Sequence, residues 1–301
     1  IDGRFRSEFN VNGMPYDQIN TFFEDSWGDL WVGSREGLIR LTPKVFSVYT
    51  TRQGLSHNNV KSVLEDRAGR LWVGTWGGGL NELTAERVRV YGTANGLPSD
   101  LILALCEDRD GGLWVGSDRR GGLSYLRGQT VRSYGPETGL PRAGITALCQ
   151  ERTGTLWVGT TEGLGRWSHG RFVPEPECGR KRVSALCEDA QGVLWCGGHA
   201  GLMHRAAGAF EPLSGSGVPP APAVSALLAD ADGKTLWVGT LYAGLFRWRD
   251  NRMDHFTVQQ GLLSDEILGI AEDQGWLWLT STKGICRVRE RDLESPGSVF
   301  P

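Results

Sequence analysis

A Leu-Trp pair recurs seven times along the 301 residues of this chain. Successive tryptophans are 41, 42, 43, 38, 42 and 41 residues apart, and a small strand-forming residue and a glycine usually follow them. A period of about 40 to 50 residues in a strand-rich sequence is typical of propeller blades. Seven units account for the whole chain, so we expect one all-β domain over residues 1–301, a seven-bladed β-propeller. The pairs are Leu30-Trp31, Leu71-Trp72, Leu113-Trp114, Leu156-Trp157, Leu194-Trp195, Leu236-Trp237 and Leu277-Trp278.

Each unit has the pattern of four short strands joined by glycine-marked turns. In the fourth unit, apolar segments at 145–149 and 156–158 are followed by more polar segments at 164–167 and 171–173. This gradient is typical of a blade whose inner strands pack between neighbouring blades while its outer edge meets water. The sequence therefore predicts blades of four antiparallel strands, in which the repeated tryptophan fills the wedge between blades.

The chain begins and ends out of phase with the blades. Residues 2–5, Asp-Gly-Arg-Phe, repeat the turn and outer strand that residues 169–172 supply to the fourth blade. Residues 267–289 supply only three strands, and residues 290–301 have the character of an exit segment toward a further domain. We therefore expect the strand from Phe5 to Phe9 to complete the last blade and close the ring, which removes free sheet edges.

Composition argues against two classes of partner. The chain has 32 basic and 35 acidic residues and a net charge of −3, so it offers no basic field for nucleic acid. No apolar run approaches the roughly 20 residues that a membrane helix needs, so we expect no direct membrane contact from this segment.

The reactive side chains show no catalytic or metal-binding pattern. Cys106, Cys149 and Cys187 occupy one position in the first strands of three successive units, where other units have Phe, Leu or Ala, so we interpret them as buried thiols outside disulfides. The five histidines have no metal-ligand spacing. Recurrent Glu-Asp pairs, such as Glu65-Asp66, lie at the mouth of the same hairpin and are interpreted as turn residues. We expect no catalytic residue, no metal and no cofactor.

One complete unit shows the repeat most fully. It reads Gly-Leu-Pro-Ser-Asp from Gly96, an apolar strand ending at Glu107-Asp108, then Leu-Trp-Val-Gly-Ser from Leu113 and a final Gly-Leu. This string resembles the two-component regulator propeller repeat. The resemblance implies a periplasmic or otherwise extracytoplasmic sensor domain of a membrane-anchored signalling protein. A histidine kinase or diguanylate cyclase module would follow it, a small molecule or oligosaccharide would be its ligand, and a homodimer through the parent protein stays open.

A ligand is expected on the face formed by the loops between second and third strands and by the links between blades, because variable loops on a rigid scaffold carry recognition. Trp76 and Tyr242 are aromatic residues in otherwise small loops, suited to stacking on a sugar ring or a partner. Asp118 and Arg182 belong to the same set of loops and links. The predicted ligand-binding residues are Arg35, His57, Trp76, Arg119, Arg120, Arg142, Glu162, His199, Tyr242 and Lys283.

Two other function classes stay open at this point. One is a platform that docks proteins without sensing a small ligand. The other is an enzyme similar to virginiamycin B lyase, which is also seven-bladed and would need a metal near the central axis and a histidine base. His57 and His199 could face the axis, but no carboxylate cluster repeats with them. A sialidase-like hydrolase would need a Tyr-Glu nucleophile pair that the sequence does not show.

Overall fold

The structure, a computed structural model, contains seven four-stranded antiparallel sheets that form a seven-bladed β-propeller. The predicted fold is confirmed. The chain divides into two compact units, residues 20–186 (the first unit) and residues 1–19 with 187–301 (the second unit), so the single domain over 1–301 stays a prediction. The structure describes residues 6–7, 19–25, 29–35, 37–41, 46–84, 87–118, 122–206, 208–215, 217, 222–230 and 233–293.

The strands follow chain order within each sheet, except that β1 (Arg6–Ser7) joins the last sheet. The four sheets of the first unit are β2 (Ile19–Glu24), β3 (Leu30–Ser34), β4 (Leu38–Leu41) and β5 (Phe46–Tyr49); β6 (Val60–Glu65), β7 (Leu71–Thr75), β8 (Leu80–Leu83) and β9 (Val88–Tyr91); β10 (Ile102–Glu107), β11 (Leu113–Ser117), β12 (Leu123–Arg127) and β13 (Thr130–Tyr134); and β14 (Ile145–Gln150), β15 (Leu156–Thr160), β16 (Gly163–Ser168) and β17 (Arg171–Glu175).

The boundary between the units falls within β18 (Val183–Glu188), the first strand of the fifth sheet. The remaining strands are β19 (Leu194–Gly198), β20 (Gly201–Ala206) and β21 (Ala209–Pro212); β22 (Val224–Ala229), β23 (Leu236–Thr240), β24 (Leu245–Arg249) and β25 (Arg252–Phe256); and β26 (Gly269–Asp273), β27 (Trp276–Ser281) and β28 (Gly284–Arg289).

Short 3-10 helices occupy most links between blades and follow the last strand. Where the sequence repeats Gly-Leu, the glycine ends the helix in the left-handed conformation, as at Gly54 (φ 104°) and Gly96 (φ 96°). Glycine adopts this conformation without steric penalty. The leucine that follows is buried, as at Leu55 and Leu97. The helices span Thr51–Gln53, Thr93–Asn95, Pro136–Thr138, Pro176–Cys178, Val258–Gln260 and Glu290–Leu293.

The glycine of the Leu-Trp-Val-Gly repeat allows neighbouring blades to pack closely. A Cβ atom on Gly159 would lie 2.6 Å from Cγ1 of Val183, the first residue of the next blade. A Cβ atom on Gly239 would lie 2.7 Å from Cγ2 of Ile267, which precedes the seventh blade. Carbon atoms do not approach so closely in packed interiors, so any larger residue would push the blades apart.

Five of the seven repeated tryptophans are buried, as predicted, and aspartates at the hairpin turns accept the indole N–H groups of four of them. Trp72 is 1% exposed, and its Nε1 donates to Oδ2 of Asp66 over 2.7 Å. Oδ1 of Asp66 accepts the backbone N–H groups of Ala68 and Arg70, both at 3.0 Å. The predicted turn role is confirmed, and the indole bond is an additional role of the same carboxylate. The equivalent bonds join Trp31 to Asp25, Trp195 to Asp189 and Trp237 to Asp230.

The N-terminal strand lies in the last sheet. Strand β1 pairs antiparallel with β28, with Arg6 opposite Arg287 and Ser7 opposite Cys286. Phe5 and residues 8–9 lie outside the described residues, so closure of the ring by Phe5 to Phe9 stays a prediction. Of the predicted exit segment, residues 290–293 form the last 3-10 helix, and residues 294–301 lie outside the described part.

No disulfide joins the six cysteines, as predicted from their positions in the repeat. Burial raises the pKa of the Cys106 thiol to about 11 and that of the Cys286 thiol to about 12. These two thiols therefore act as small apolar groups rather than as nucleophiles.

Candidate functional site

The loops after the second strands and the links before the first strands meet at one end of the blades. The backbone N–H of Trp76 donates to the carbonyl of Asn59 over 2.7 Å, and that of Asp118 donates to Leu101 over 3.0 Å. The same bond recurs from Thr161 to Gly144 and, in the second unit, from Leu241 to Ala223, both at 2.9 Å. These bonds hold the loops and links expected to form the recognition face side by side.

Two aromatic side chains stand out on these loops. The side chain of Trp76 is 37% exposed and that of Tyr242 is 83% exposed. The ring of Trp76 lies beside the ammonium group of Lys61, whose Nζ is 5.7 Å from the ring centroid. That distance is within the range of a cation–π interaction.

A polar network surrounds Lys61 in the first unit. Its Nζ donates to Oδ1 of Asn20 over 3.1 Å. Nδ2 of Asn20 donates in turn to the carbonyl of Val60 over 2.7 Å and to Oδ1 of Asn59 over 3.3 Å. The backbone N–H of Asn59 donates to Nδ1 of His57 over 3.0 Å. The predicted residues His57 and Trp76 thus belong to one connected network, with Lys61 at its centre.

The electrostatic environment of this network is positive. Burial lowers the pKa of Lys61, and the charges of Arg35 and Arg182 lower it further. Burial also lowers the pKa of Arg182, while the carboxylate of Asp118 acts in the opposite direction. The charges of Arg35 and Arg182 thus disfavour the charged form of Lys61, as expected of like charges.

Lys61 and Asn20 were missed by the sequence prediction, which considered loops and links only. Both are the second residue of a first strand, and at this position the pairing of β6 with β7 shifts register between Val60 and Ser62. A β-bulge leaves such a residue outside the regular pairing. Comparison of the repeats at this position would have singled out the lysine. The series is Asn20, Lys61, Leu103, Thr146, Ser184, Ser225 and Leu268.

The bulge position also explains why polar residues recur there. The side-chain amide of Asn20 donates to the carbonyl of Val60 in the next blade. The hydroxyl of Thr146 donates in the same way to the carbonyl of Val183. In the second unit, Ser225 donates to the carbonyl of Ile267 in the same way. Lys61 replaces this neutral linkage by a charged group that bonds to Asn20 instead. The other polar residues described above link neighbouring blades through neutral groups, and Lys61 is the charged residue at this position.

The other predicted residues that the structure describes lie on loops and links. Arg142 and Glu162 are exposed in the fourth blade of the first unit, and His199 and Lys283 are exposed in the second unit. The backbone N–H of Glu162 bonds to Thr160, and that of Lys283 bonds to Ser281. Arg119 and Arg120 lie outside the described residues. Whether any of these ten residues binds a ligand stays a prediction.

A cavity of about 710 Å³ lies between the first and second blades, at the hairpin end of their strands. Its walls include Trp31, Tyr49 and Arg40. Nε of Arg40 donates to Oδ2 of Asp29 over 2.5 Å, and its guanidinium lies over the Trp31 ring. Since Arg40 already pairs with Asp29 and Asp25 already accepts the indole N–H of Trp31, this cavity is a weaker candidate than the Lys61 network.

Within the described ranges, no group of three or more His, Cys, Asp or Glu side chains could hold a metal ion. Among the same residues, no helix is both long and apolar enough to cross a membrane.

Comparison with known proteins gives matches to a repeat model over part of the chain and to solved structures of the same fold. A family model for the two-component regulator propeller matches residues 13–36, 54–77, 96–119 and 139–162. Two extracellular domains described as those of hybrid two-component systems from B. thetaiotaomicron align with 95% of this chain at 22% and 20% identity, each with a TM-score of 0.80. The chain covers only 40% and 41% of those structures. A search of curated proteins finds no match.

A propeller enzyme has a related fold. Virginiamycin B lyase from Staphylococcus aureus, solved in a catalytically inactive form with quinupristin, aligns with 95% of this chain and 99% of its own length. The identity is 14% and the TM-score is 0.75, so the similarity concerns the fold.

Taken with the geometry, these matches define the class: a seven-bladed propeller that presents a polar and aromatic loop face. Four stretches between residues 13 and 162 match the two-component regulator propeller repeat that the sequence resembles.

Proposed function

We propose that this chain is the sensor region of a membrane-anchored bacterial signalling protein and lies outside the cytoplasm. It binds a small molecule or an oligosaccharide, and a downstream kinase or cyclase module responds. The observation that carries this proposal is the exposed Trp76 ring beside Lys61 and the Asn20–Asn59 amides. The similarity to extracellular domains of hybrid two-component systems supports it.

The chemistry of the network suits a sugar. An aromatic face packs against the C–H groups of a sugar ring, while amides and charged groups bond to its hydroxyls. Trp76 supplies the face, and Asn59, Asn20 and Lys61 supply donors and acceptors.

The same chain is proposed to bind without turning its ligand over. The aspartates of the Glu-Asp pairs are occupied by turn amides and indoles, as Asp66 shows. Nδ1 of His57 accepts a backbone N–H, so this nitrogen is not available as a base.

The sensor proposal predicts separable effects on binding and stability. In a thermal-shift panel of maltotriose, xylotriose, cellotriose and trigalacturonate, at least one probe should raise the melting temperature of the parent chain. Trp76→Ala, alone or with Tyr242→Ala, should abolish that shift while lowering the free energy of unfolding by no more than about 2 kcal/mol, since Trp76 is 37% exposed and Tyr242 is 83% exposed. Val90→Ala, an exposed apolar residue of β9, is the matched control and should retain the shift. Lost stability with binding intact would place the aromatics in the core and contradict the proposal.

A docking platform remains the second candidate because of Tyr242. Its side chain is 83% exposed, a degree of exposure common for aromatic residues that a protein partner covers. If Tyr242→Ala leaves every saccharide shift unchanged while Trp76→Ala removes it, Tyr242 belongs to such a surface rather than to the ligand site.

A further inference from the structure

We propose that the site beside Trp76 recognises its ligand by donating hydrogen bonds, and that Asn20 in the neighbouring blade is the positioning residue that fixes this polarity. The ligand then presents sp² oxygen acceptors, the carboxylate of a sugar acid or the carbonyl of an N-acetyl sugar, rather than hydroxyls alone. This inference rests on the proposed sensor function and specifies the chemical class of what is sensed.

The orientation of the Asn20 amide follows from partners that have only one hydrogen-bonding role. The ammonium group of Lys61 can only donate, so the atom 3.1 Å from its Nζ is Oδ1 of Asn20. The carbonyl of Val60 can only accept, so the atom 2.7 Å from it is Nδ2 of Asn20. The two assignments agree, and this Nδ2 also donates to Oδ1 of Asn59 over 3.3 Å. The carbonyl end of the Asn59 amide therefore bonds to Asn20, and its NH₂ group is the end left for a ligand.

The backbone fixes the imidazole of His57 in the same sense. The backbone N–H of Asn59 donates to Nδ1 of His57 over 3.0 Å, so the proton of the neutral ring is on Nε2. His57 is exposed, and its ring lies against the loop that carries Trp76, since a Cβ atom on Gly77 would lie 3.8 Å from Nε2. Nε2 of His57 is therefore a second donor at this site.

The backbone carbonyls of the same loop and links already have donors. The carbonyl of Asn59 accepts the backbone N–H of Trp76 over 2.7 Å. The carbonyl of Asp100 accepts the backbone N–H groups of Gly77 and Gly79 over 3.0 and 2.9 Å. These carbonyls therefore bond to protein N–H groups, whereas the side chains beside them have N–H groups to offer.

Other blades make the same backbone bonds with smaller side chains. Ser99 and Ser264, at the position of His57, accept the backbone N–H two residues further on over 3.1 and 3.2 Å. Ser225, at the position of Asn20, donates to a carbonyl of the next blade without an amide. The fold is thus satisfied by serine at both positions, and the imidazole of His57 and the amide of Asn20 add donors and contacts that folding does not need.

Donors beside an aromatic ring select the acceptor groups of a sugar. The Lys61 ammonium has three N–H groups, and its bond to Asn20 uses one of them. Its Nζ lies 5.7 Å from the centroid of the Trp76 ring, so a sugar stacked on Trp76 brings its substituents near these donors. An sp² oxygen offers lone pairs and no proton, whereas each hydroxyl also has a proton that needs an acceptor. The site therefore favours a carboxylate or an N-acetyl carbonyl over hydroxyls.

The test compares paired trisaccharides by isothermal titration calorimetry with the full chain. Cellotriose and triacetylchitotriose share a linkage and differ in a hydroxyl or an acetamide. Trigalacturonate and the galactotriose of the same linkage differ in a carboxylate or a hydroxymethyl group. In at least one pair, the sugar with the sp² oxygen should bind about 10-fold tighter or more than its partner, as expected for well-aligned or charge-assisted hydrogen bonds.

Two variants test the source of this preference, measured as the ratio of the two affinities in a pair. Asn59→Asp keeps Oδ1 as the acceptor for Asn20 and replaces the Nδ2 donor by an acceptor of the same shape. Asn20→Ser keeps the bond between blades that Ser225 makes and removes the contacts to Lys61 and Asn59. Each should reduce the ratio to less than about 3-fold, because the donors are lost or no longer oriented. A merely structural role of Asn20 would weaken both sugars of a pair equally.

Asn58→Asp is the control, with the same charge change one residue away from Asn59. Oδ1 of Asn58 accepts the backbone N–H of Thr51 over 2.9 Å, and Asp100 accepts that of Thr93 in the same way in the next link, so the aspartate fits. The control should keep the ratio of the parent chain, and its loss there would assign the effect to charge and overturn the inference.

Equal affinities within both pairs, or binding confined to sugars that carry hydroxyls alone, overturn the inference while the sensor function stands. A ratio that survives either Asn59→Asp or Asn20→Ser also overturns it. If none of these sugars and none of the other trisaccharides binds, the sensor function fails as well.

Discussion

Replacement of Asp66 by alanine should lower the free energy of unfolding by about 3–5 kcal/mol. Asp66 is buried, and its carboxylate accepts the indole N–H of Trp72 and the turn amides of Ala68 and Arg70. Without it, the buried indole has no acceptor and the hairpin turn loses its cap. The Arg70 guanidinium is about a third exposed and can turn to water, so its loss adds little.

Urea unfolding followed by tryptophan fluorescence measures this effect. Asp110→Ala, at an exposed turn position of the next blade, is the control and should change stability by less than about 0.5 kcal/mol. A loss below about 1 kcal/mol in Asp66→Ala would contradict the dual role of the aspartate.

Asp254→Ala should cost a similar amount, about 3–5 kcal/mol, because it leaves a buried guanidinium without its counter-ion. The side chains of Arg247 and Asp254 are each 9% exposed, and NH2 of Arg247 lies 2.6 Å from Oδ2 of Asp254. The guanidinium also lies over the rings of Trp237 and Phe256, so it cannot move to solvent without breaking the core.

The double variant Arg247→Met with Asp254→Leu distinguishes the contribution of the ion pair to stability from the cost of leaving the Arg247 charge unpaired. A buried ion pair replaced by apolar residues of similar size is often neutral or stabilising, so the double variant should recover most of the stability lost in Asp254→Ala. Asp250→Asn, at a carboxylate 83% exposed, is the control and should have little effect. A double variant less stable than Asp254→Ala alone would show that the pair contributes more than charge balance.

The fold was predictable because the sequence pattern of one blade recurs seven times along the chain. The Leu-Trp-Val-Gly string predicted the blade, and contacts such as Gly159 against Val183 show why glycine recurs in it. The bond from Asp66 to Trp72 was not predicted, since the two residues are six apart and meet only when the hairpin forms. The sequence indicates that the aspartate bonds to the turn amides, but it does not indicate the bond to the buried indole of Trp72.

The candidate site was only partly predictable. Trp76 and His57 were found because they stand in variable loops, and the structure places them in one network. Lys61 was missed because it lies within an apolar strand, where a bulge takes it out of regular pairing. The direction of a bulged side chain depends on strand register, which a single sequence does not specify.

A sensor binds its ligand and releases it unchanged. The most direct measurement titrates the 301-residue chain with the neutral and acidic trisaccharides and then recovers each ligand for mass spectrometry. We expect saturable binding of at least one probe, one ligand per chain, with the recovered ligand identical in mass to the starting material. Binding followed by a product of altered mass would identify an enzyme, and the absence of binding by every probe would contradict the sensor function.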